Sequence, residues 1–195
     1  MAPALLGFSF FLRPSEAFEA LLGEASSENT EHTRRGNREE ARIADAFARR
    51  MGLRLREVGI YPHGEQKWIA ASPDRLVVGS GHVVEVKSTS SAPSLSDAWL
   101  MQVTLQLACV GVQTGYLVAQ HAATDRELVV WRVRFDRELF TAMVELLEPI
   151  HAAAKTAIRD YVEDQTEMPF VSRMGLQDLK GILSETRRLY ISRLE

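Results

Sequence analysis

The stretch SPDRLVVGSGHVVEVKS, residues 72–88, decides how this chain folds. Two apolar runs, residues 76–78 and 83–87, flank the turn Ser80-Gly81-His82, the pattern of a β-hairpin. Asp74, Glu85 and Lys87 are set into it. Alternate side chains share one face of a strand, so Glu85 and Lys87 point the same way, roughly 7 Å apart. A short hairpin brings Asp74 beside Glu85. One reading is a salt bridge between neighbouring surface strands, worth about 0–1 kcal/mol. The other starts from Val83, Val84 and Val86, which make the strand apolar on both faces. Such a strand is buried, and buried charges need a partner or a metal.

Working outward, residues 55–60 and 67–71 read as strands before the hairpin, and residues 116–120 and 128–135 as strands after it. A helix is expected over 97–110, following a small, polar segment at 88–96. Pro14-Ser15-Glu16 opens a helix to residue 22, and the polar run 23–37 reads as a loop. Residues 39–51 form a helix closed by Gly52. Asp136 caps a helical stretch to about residue 163, which Pro149 is expected to kink or break. Residues 176–194 give a last amphipathic helix. Strands interleaved with helices in this order predict an α/β fold, a mixed central sheet flanked by helices. The expected division is a main domain over 1–165 and a C-terminal helical extension over 166–195.

Composition narrows the classes. The chain has 195 residues, 46% hydrophobic and 25% charged, which suits a globular core and not a disordered chain. A net charge of −3 argues against a protein that simply coats DNA, while leaving room for a local basic cleft. The single cysteine, Cys109, makes no internal disulfide and no zinc site, which fits a reducing cytoplasm. No apolar run approaches the ~20 residues that span a bilayer. The first residues have no basic region of the kind that opens a signal peptide.

Two helices add candidates. At about 100° per residue, Glu40, Ala44, Phe47 and Met51 share a face, with Ile43 at its edge and Glu39 rotated away. Glu40 is either a functional carboxylate or a first-turn acid favoured by the helix dipole. On the helix 97–110, Gln102 and Gln106 interrupt the apolar stripe of Trp99, Val103, Leu107 and Val110. They satisfy buried backbone groups or serve a site. Arg34, Arg35 and Arg38 form a basic cluster, either a solvated loop or a grip on phosphates. Taken together, three carboxylates and a lysine near one sheet offer hard oxygen ligands for Mg²⁺ or Mn²⁺ and a cation to orient water. That is chemistry for phosphodiester hydrolysis.

The pair SPD and EVK resembles the signature of PD-(D/E)xK nucleases. Four blocks, RRGNREEARIADAFARRMG, AASPDRLV, VVEVKS and MQVTLQLACVGVQTGYLV, occur in the order and spacing of the lambda exonuclease family, the YqaJ-like viral recombinases. The segment ALLGFSFFLRPSEAFEALLGE is similar to that family's N-terminal region. The resemblance covers about residues 5–135 and implies a restriction-endonuclease-like nuclease domain. It implies Asp74, Glu85 and Lys87 as the triad, with Glu40 and Gln102 completing the catalytic set. Asp74, Glu85, Glu40 and the carbonyl of Val86 would be metal ligands. Arg34, Arg35, Arg38, Arg75, Ser88 and Gln106 would contact DNA. The implied activity is Mg²⁺-dependent exonuclease action on linear duplex DNA, 5′-to-3′, in phage-type recombination, with Mn²⁺ as a substitute. Implied partners are duplex DNA ends, a homo-oligomer (a homotrimer) and a single-strand-annealing protein.

The chain departs from the family at two places: Arg75 stands where glycine is common, and a segment with a small-residue turn and an arginine would precede Ala4. Rival readings are an endonuclease on the same fold, a non-catalytic DNA-binding or assembly module, and a domain in which the charges form a structural ion pair.

Overall fold

The structure, a computed structural model, describes residues 1–8, 13–21, 31–122, 128–160 and 173–194. The elements in chain order are α1 (Ala2–Leu5), α2 (Pro14–Leu21), α3 (Glu31–Met51), β1 (Leu55–Arg56), β2 (Tyr61–Pro62), β3 (Ala70–Ala71), β4 (Arg75–Val77), β5 (Val83–Thr89) and α4 (Asp97–Val110). They continue with β6 (Thr114–His121), β7 (Leu128–Arg134), α5 (Arg137–Asp160), α6 (Arg173–Tyr190) and β8 (Ile191–Leu194). Six strands form one sheet in the order β1-β4-β5-β6-β7-β8, and β2 pairs with β3 in a separate ribbon. Within the six-stranded sheet β5 and β6 run parallel, and the other neighbours are antiparallel. Helix α4 is the crossover that a parallel pair requires. The fold is the expected mixed sheet between helices.

The alternation of β5 sorts its residues between two cores. Val83 belongs to the larger cluster, with Leu100, Val103 and Leu107 of α4 and Leu139 and Met143 of α5. Val84 and Val86 belong to the smaller one, with Ile43, Ala44 and Phe47 of α3. Glu85 and Lys87 therefore point with Val83 toward α4, and α3 covers the opposite face. Gly115 of β6 sits where a Cβ would lie 3.0 Å from the Val83 carbonyl oxygen and 3.1 Å from Leu107 Cδ2. A side chain there would push α4 off the strand that carries the charges.

Several sequence expectations need correction. Helix α3 begins at Glu31, so residues 31–37 are helix and not loop; residues 23–30 lie outside the described residues. Gly52 closes α3 at φ +65°, as the C′ reading requires. Pro149 does not break α5, which runs through it. Glu145 and Pro149 both face solvent, so water can serve the carbonyl that loses its donor. The expected strand 55–60 is cut to Leu55–Arg56, and 67–71 to Ala70–Ala71. The last helix stops at Tyr190, and residues 191–194 instead form β8, the sheet's edge beside β7. Among the described residues, no helix is long and apolar enough to cross a membrane.

Candidate active site

Strand β4 is short. It pairs Arg75 with Val84 and Leu76 with Val83, and goes no further along β5. The edge of β5 beyond Val84 is left open on that side, and Asp74 turns back to fill it. Its Oδ2 accepts the Val86 N–H at 2.7 Å. In an extended strand the N–H and C=O of one residue point to the same edge, so the Val86 carbonyl faces Asp74 as well. On β5's α4-facing side, Glu85 is 1% exposed and takes three donors. Oε1 accepts from Lys87 Nζ at 2.5 Å and from Gln102 Nε2 at 2.6 Å, and Oε2 accepts from Gln106 Nε2 at 2.6 Å. Lys87 Nζ also donates to Gln102 Oε1 at 3.0 Å. Lys87, Glu85 and Gln102 close a triangle, and each fixes the rotamer of the other two.

Helix α4 delivers both glutamines because they lie four residues apart, one turn along one face. Ser96 starts the helix, its Oγ accepting the Trp99 N–H at 3.2 Å. The two sequence readings of the glutamines both hold for Gln106. It donates to Glu85 and, at 3.3 Å, to the backbone carbonyl of Ser72. At 1% exposure it stands beside Glu85 in the buried part of the site.

Glu40 reaches the site from α3, where Oε1 accepts from Arg75 Nη1 at 2.8 Å. Arg75 also meets Glu57 at 3.3 Å and its neighbour's carbonyl, that of Asp74, at 2.5 Å. With its side chain 13% exposed, Arg75 is an internal bridge and not a displayed DNA contact. Glu39 turns to Arg42, at 2.8 Å. Arg38 and Ser88 are exposed; Arg34 and Arg35 fall within α3, their side chains outside the described residues. Sequence reasoning missed Glu57 as the second anchor of Arg75, because Glu57 lies in the irregular segment after β1, where no periodic pattern marks which partner it meets.

The charges do not cancel evenly. Burial, and then the charge of Glu85, push the Asp74 carboxyl up to about 7. Glu40 adds to the rise, and the Val86 N–H and Lys87 oppose it. Four acids, Asp74, Glu85, Glu40 and Glu57, share two cations, Lys87 and Arg75, and neither cation pairs with Asp74. Among the described residues, no three His, Cys, Asp or Glu side chains converge on one point as a ready-made metal cage. The fit to a divalent ion lies in two other properties: an uncompensated negative charge at Asp74, and an all-oxygen donor set of Asp74, Glu85 and the Val86 carbonyl, which suits hard cations.

Beside this constellation lies a cavity of about 1210 Å³, with Lys87, Ser88, Gln102 and Gln106 in its wall. Asp74 and Glu40 are outside that wall, so Lys87 and the glutamines separate the acidic edge from the open space. The small residues of 88–96 form part of the rim.

Comparison with known proteins finds the same fold elsewhere. An alkaline exonuclease from Laribacter hongkongensis superposes with a TM-score of 0.68 at 19% identity, over 83% of this chain and 89% of that one. The same exonuclease solved in complex with dAMP gives a TM-score of 0.58 at 17% identity, over 96% and 90% of the two chains. At such identities the likeness speaks for the fold. No curated protein matches the chain. Residues 14–116, just over half the chain, match the sequence profile of the YqaJ-like viral recombinase domain. That stretch runs from the start of α2 through the acidic edge, the Glu85–Lys87–Gln102 triangle and into β6, and the chain belongs to the YqaJ-like viral recombinase family.

Proposed function

We propose that this protein is a divalent-metal-dependent deoxyribonuclease that degrades linear duplex DNA from its ends, 5′ to 3′, in phage-type recombination. The observation that carries the proposal is Lys87: its ammonium is held between Glu85 and Gln102 at the cavity wall, beside an acidic edge with surplus negative charge. A structural ion pair would leave the charges balanced. Here Asp74 has an N–H and no cation of its own among the contacts it makes.

Mg²⁺, with Mn²⁺ as its substitute, would be held by Asp74, Glu85 and the Val86 carbonyl, with Glu40 close by. When bound, the ion supplies charge neutralisation at the phosphate and acidifies water. The chain's own residues do the rest. Lys87 orients the attacking water and offsets negative charge that builds on the phosphoryl oxygens. Gln102 and Gln106 keep Glu85 in one rotamer, so its oxygens need no reorganisation during the reaction. Attack in line on phosphorus breaks the bond to the 3′ oxygen, which takes up a proton and leaves as a 3′-hydroxyl; the other product keeps a 5′-phosphate. Arg38, with Arg34 and Arg35 on the same helix, would hold backbone phosphates, and Ser88 would lie at the cavity rim against the strand.

The alkaline exonuclease solved with dAMP holds a mononucleotide, and a mononucleotide is what an end-directed enzyme releases. Kinship also supports a homo-oligomer, a trimer, acting with a single-strand-annealing protein in the cytoplasm. The test uses linear duplexes labelled at either 5′ or 3′ ends and a circular duplex of the same sequence. With Mg²⁺, 5′ label is released early as mononucleotide, and the circle survives. Equal cutting of the circle would make the protein an endonuclease. No cleavage with Mg²⁺ or Mn²⁺ would overturn the nuclease reading altogether.

A further inference from the structure

The cavity beside Lys87 extends past Gln102 and Gln106 to a pair of aromatic rings that the reaction above does not use. Trp68, between β2 and β3, and His151, on α5, stack at 4.6 Å between centroids with their planes 14° apart. Both rings belong to the cavity wall, with Leu147, Ile150 and Trp99 around them. The indole N–H of Trp68 is engaged by Gln66 Oε1 at 3.2 Å, so what Trp68 offers the cavity is apolar ring surface.

The same wall contains two buried polar atoms without a hydrogen-bond partner, His151 Nε2 and Gln106 Oε1. A buried unsatisfied group costs about 1–3 kcal/mol, so a ligand that supplies the missing partners gains on entering. Gln106 is 1% exposed, and its amide nitrogen already holds Glu85. Its free oxygen therefore lies one side chain away from the reacting carboxylates. The cavity wall is thus cationic at Lys87, with Gln106 tied to it through Glu85, and aromatic at Trp68 and His151, where Nε2 awaits a partner. At about 1210 Å³ it exceeds the ~300–1,000 Å³ of ordinary small-molecule sites, room enough for a strand end.

We propose that Trp68, His151 and the free oxygen of Gln106 form a slot for the nucleobase of the terminal nucleotide, whose phosphate lies toward Lys87. The proposal rests on the nuclease reading above and extends it to how the strand end is seated. Stacking on a π-face is tolerant of base identity, which an enzyme that consumes a whole strand requires. Burial and the neighbouring Lys155 lower the His151 pKa, against the pull of Glu148. His151 is then a neutral ring at pH 7, able to stack without bringing a charge into an apolar wall. A base edge presents both hydrogen-bond donors and acceptors, which matches the two orphaned atoms.

The test has a binding arm and a kinetic arm. In EDTA, calorimetric titration of the parent with dAMP and with 2-deoxyribose 5-phosphate should show dAMP bound about tenfold tighter, the scale of one base–aromatic stack. Trp68→Ala and His151→Ala should each bring the two ligands to within about threefold, with thermal melts confirming the fold. Trp68→Phe, which keeps a ring, should retain most of the preference. With active enzyme, a duplex whose 5′-terminal nucleotide is abasic should lose about tenfold in kcat/KM relative to an intact end, and the two alanine variants should treat both ends alike. Equal binding of both ligands by the parent overturns the slot, as does an undiminished preference in both alanine variants. Cleavage that ignores the terminal base overturns the slot and leaves the nuclease reading standing. A base preference erased by the variants, in a protein that cuts nothing, leaves the slot and overturns the nuclease reading.

Discussion

The two carboxylates of the opening hairpin, Glu85 and Asp74, live under opposite conditions a few ångströms apart. Glu85 is almost wholly buried, yet three donors reach its two oxygens. Asp74 sits at the open edge of β5 with one backbone N–H, and burial, then the charges of Glu85 and Glu40, push its carboxyl up to about 7. Burial alone therefore does not decide which acid is strained. Partners matter as well: Glu85 has an ammonium and two amides arranged by β5 and α4, whereas Arg75, the next residue along the chain from Asp74, is drawn to Glu40 and Glu57. The contrast divides the site into a preorganised half that needs nothing and an acidic half short of a positive charge.

The harshest break of this contrast is Lys87→Ala. It removes the ammonium that holds Glu85 Oε1, which is also the group proposed to orient water. Cleavage of a labelled linear duplex should fall by at least ~10³-fold, in the range for a lost electrostatic or acid–base group. The fold should survive, since Lys87 is 22% exposed and Gln102 and Gln106 still hold Glu85. Activity within a few-fold of the parent would show that the satisfied half is scaffolding only.

How much of the contrast was legible in the sequence depends on the kind of signal. The charged pair on β5, the partner glutamines on α4 and the core stripe of α3 were visible because period-2 and period-3.6 patterns mark which side chains share a face. The bounds of α4 match the expected 97–110, and the structure caps it with Ser96 and Gly111. The first turns of α3 were not, because residues 31–38 contain no apolar side chain and periodicity is silent there. β8 was hidden in the tail of an amphipathic helix, four residues being too few to show alternation. The Arg75–Glu40 pair spans 35 positions, and only the closed sheet brings its members together. The Trp68–His151 stack, 83 positions apart in sequence, gave no pattern at all.

A second test relieves the acidic half. With its folded value near 7 and its ordinary value 3.8, Asp74 keeps a proton in the folded state that the unfolded chain has released. Between about pH 4 and pH 7 the folded state binds more protons, so stability without metal should fall as pH rises, by up to about 1.4 kcal/mol per pH unit. Below that window the contribution is fully present; above it nothing further is lost. Asp74→Asn removes the surplus charge, so its metal-free melt at pH 7.5 should lie above the parent's and its pH slope across the window should flatten. Mg²⁺ should stabilise the parent by RT ln(1 + [Mg²⁺]/Kd), about 2.7 kcal/mol at a hundredfold excess, and Asp74→Asn hardly at all. Equal Mg²⁺ shifts in the two proteins would mean that the acidic half is not where a cation binds.

The gentlest test asks whether the satisfied half can be made to resemble the strained one. Gln106→Leu deletes one of three donors to Glu85 and the bond to the Ser72 carbonyl, leaving two buried acceptors short. Leucine fills nearly the same space beside the apolar stripe of α4, so packing changes little and the loss is mostly one of hydrogen bonding. The expected cost is about 1–3 kcal/mol in a denaturant melt. The Mg²⁺-induced rise in melting temperature should persist, because Asp74 and the Val86 carbonyl are untouched. Loss of that rise in Gln106→Leu, with Asp74 intact, would show that the two halves act as one unit and that the division drawn between them is wrong.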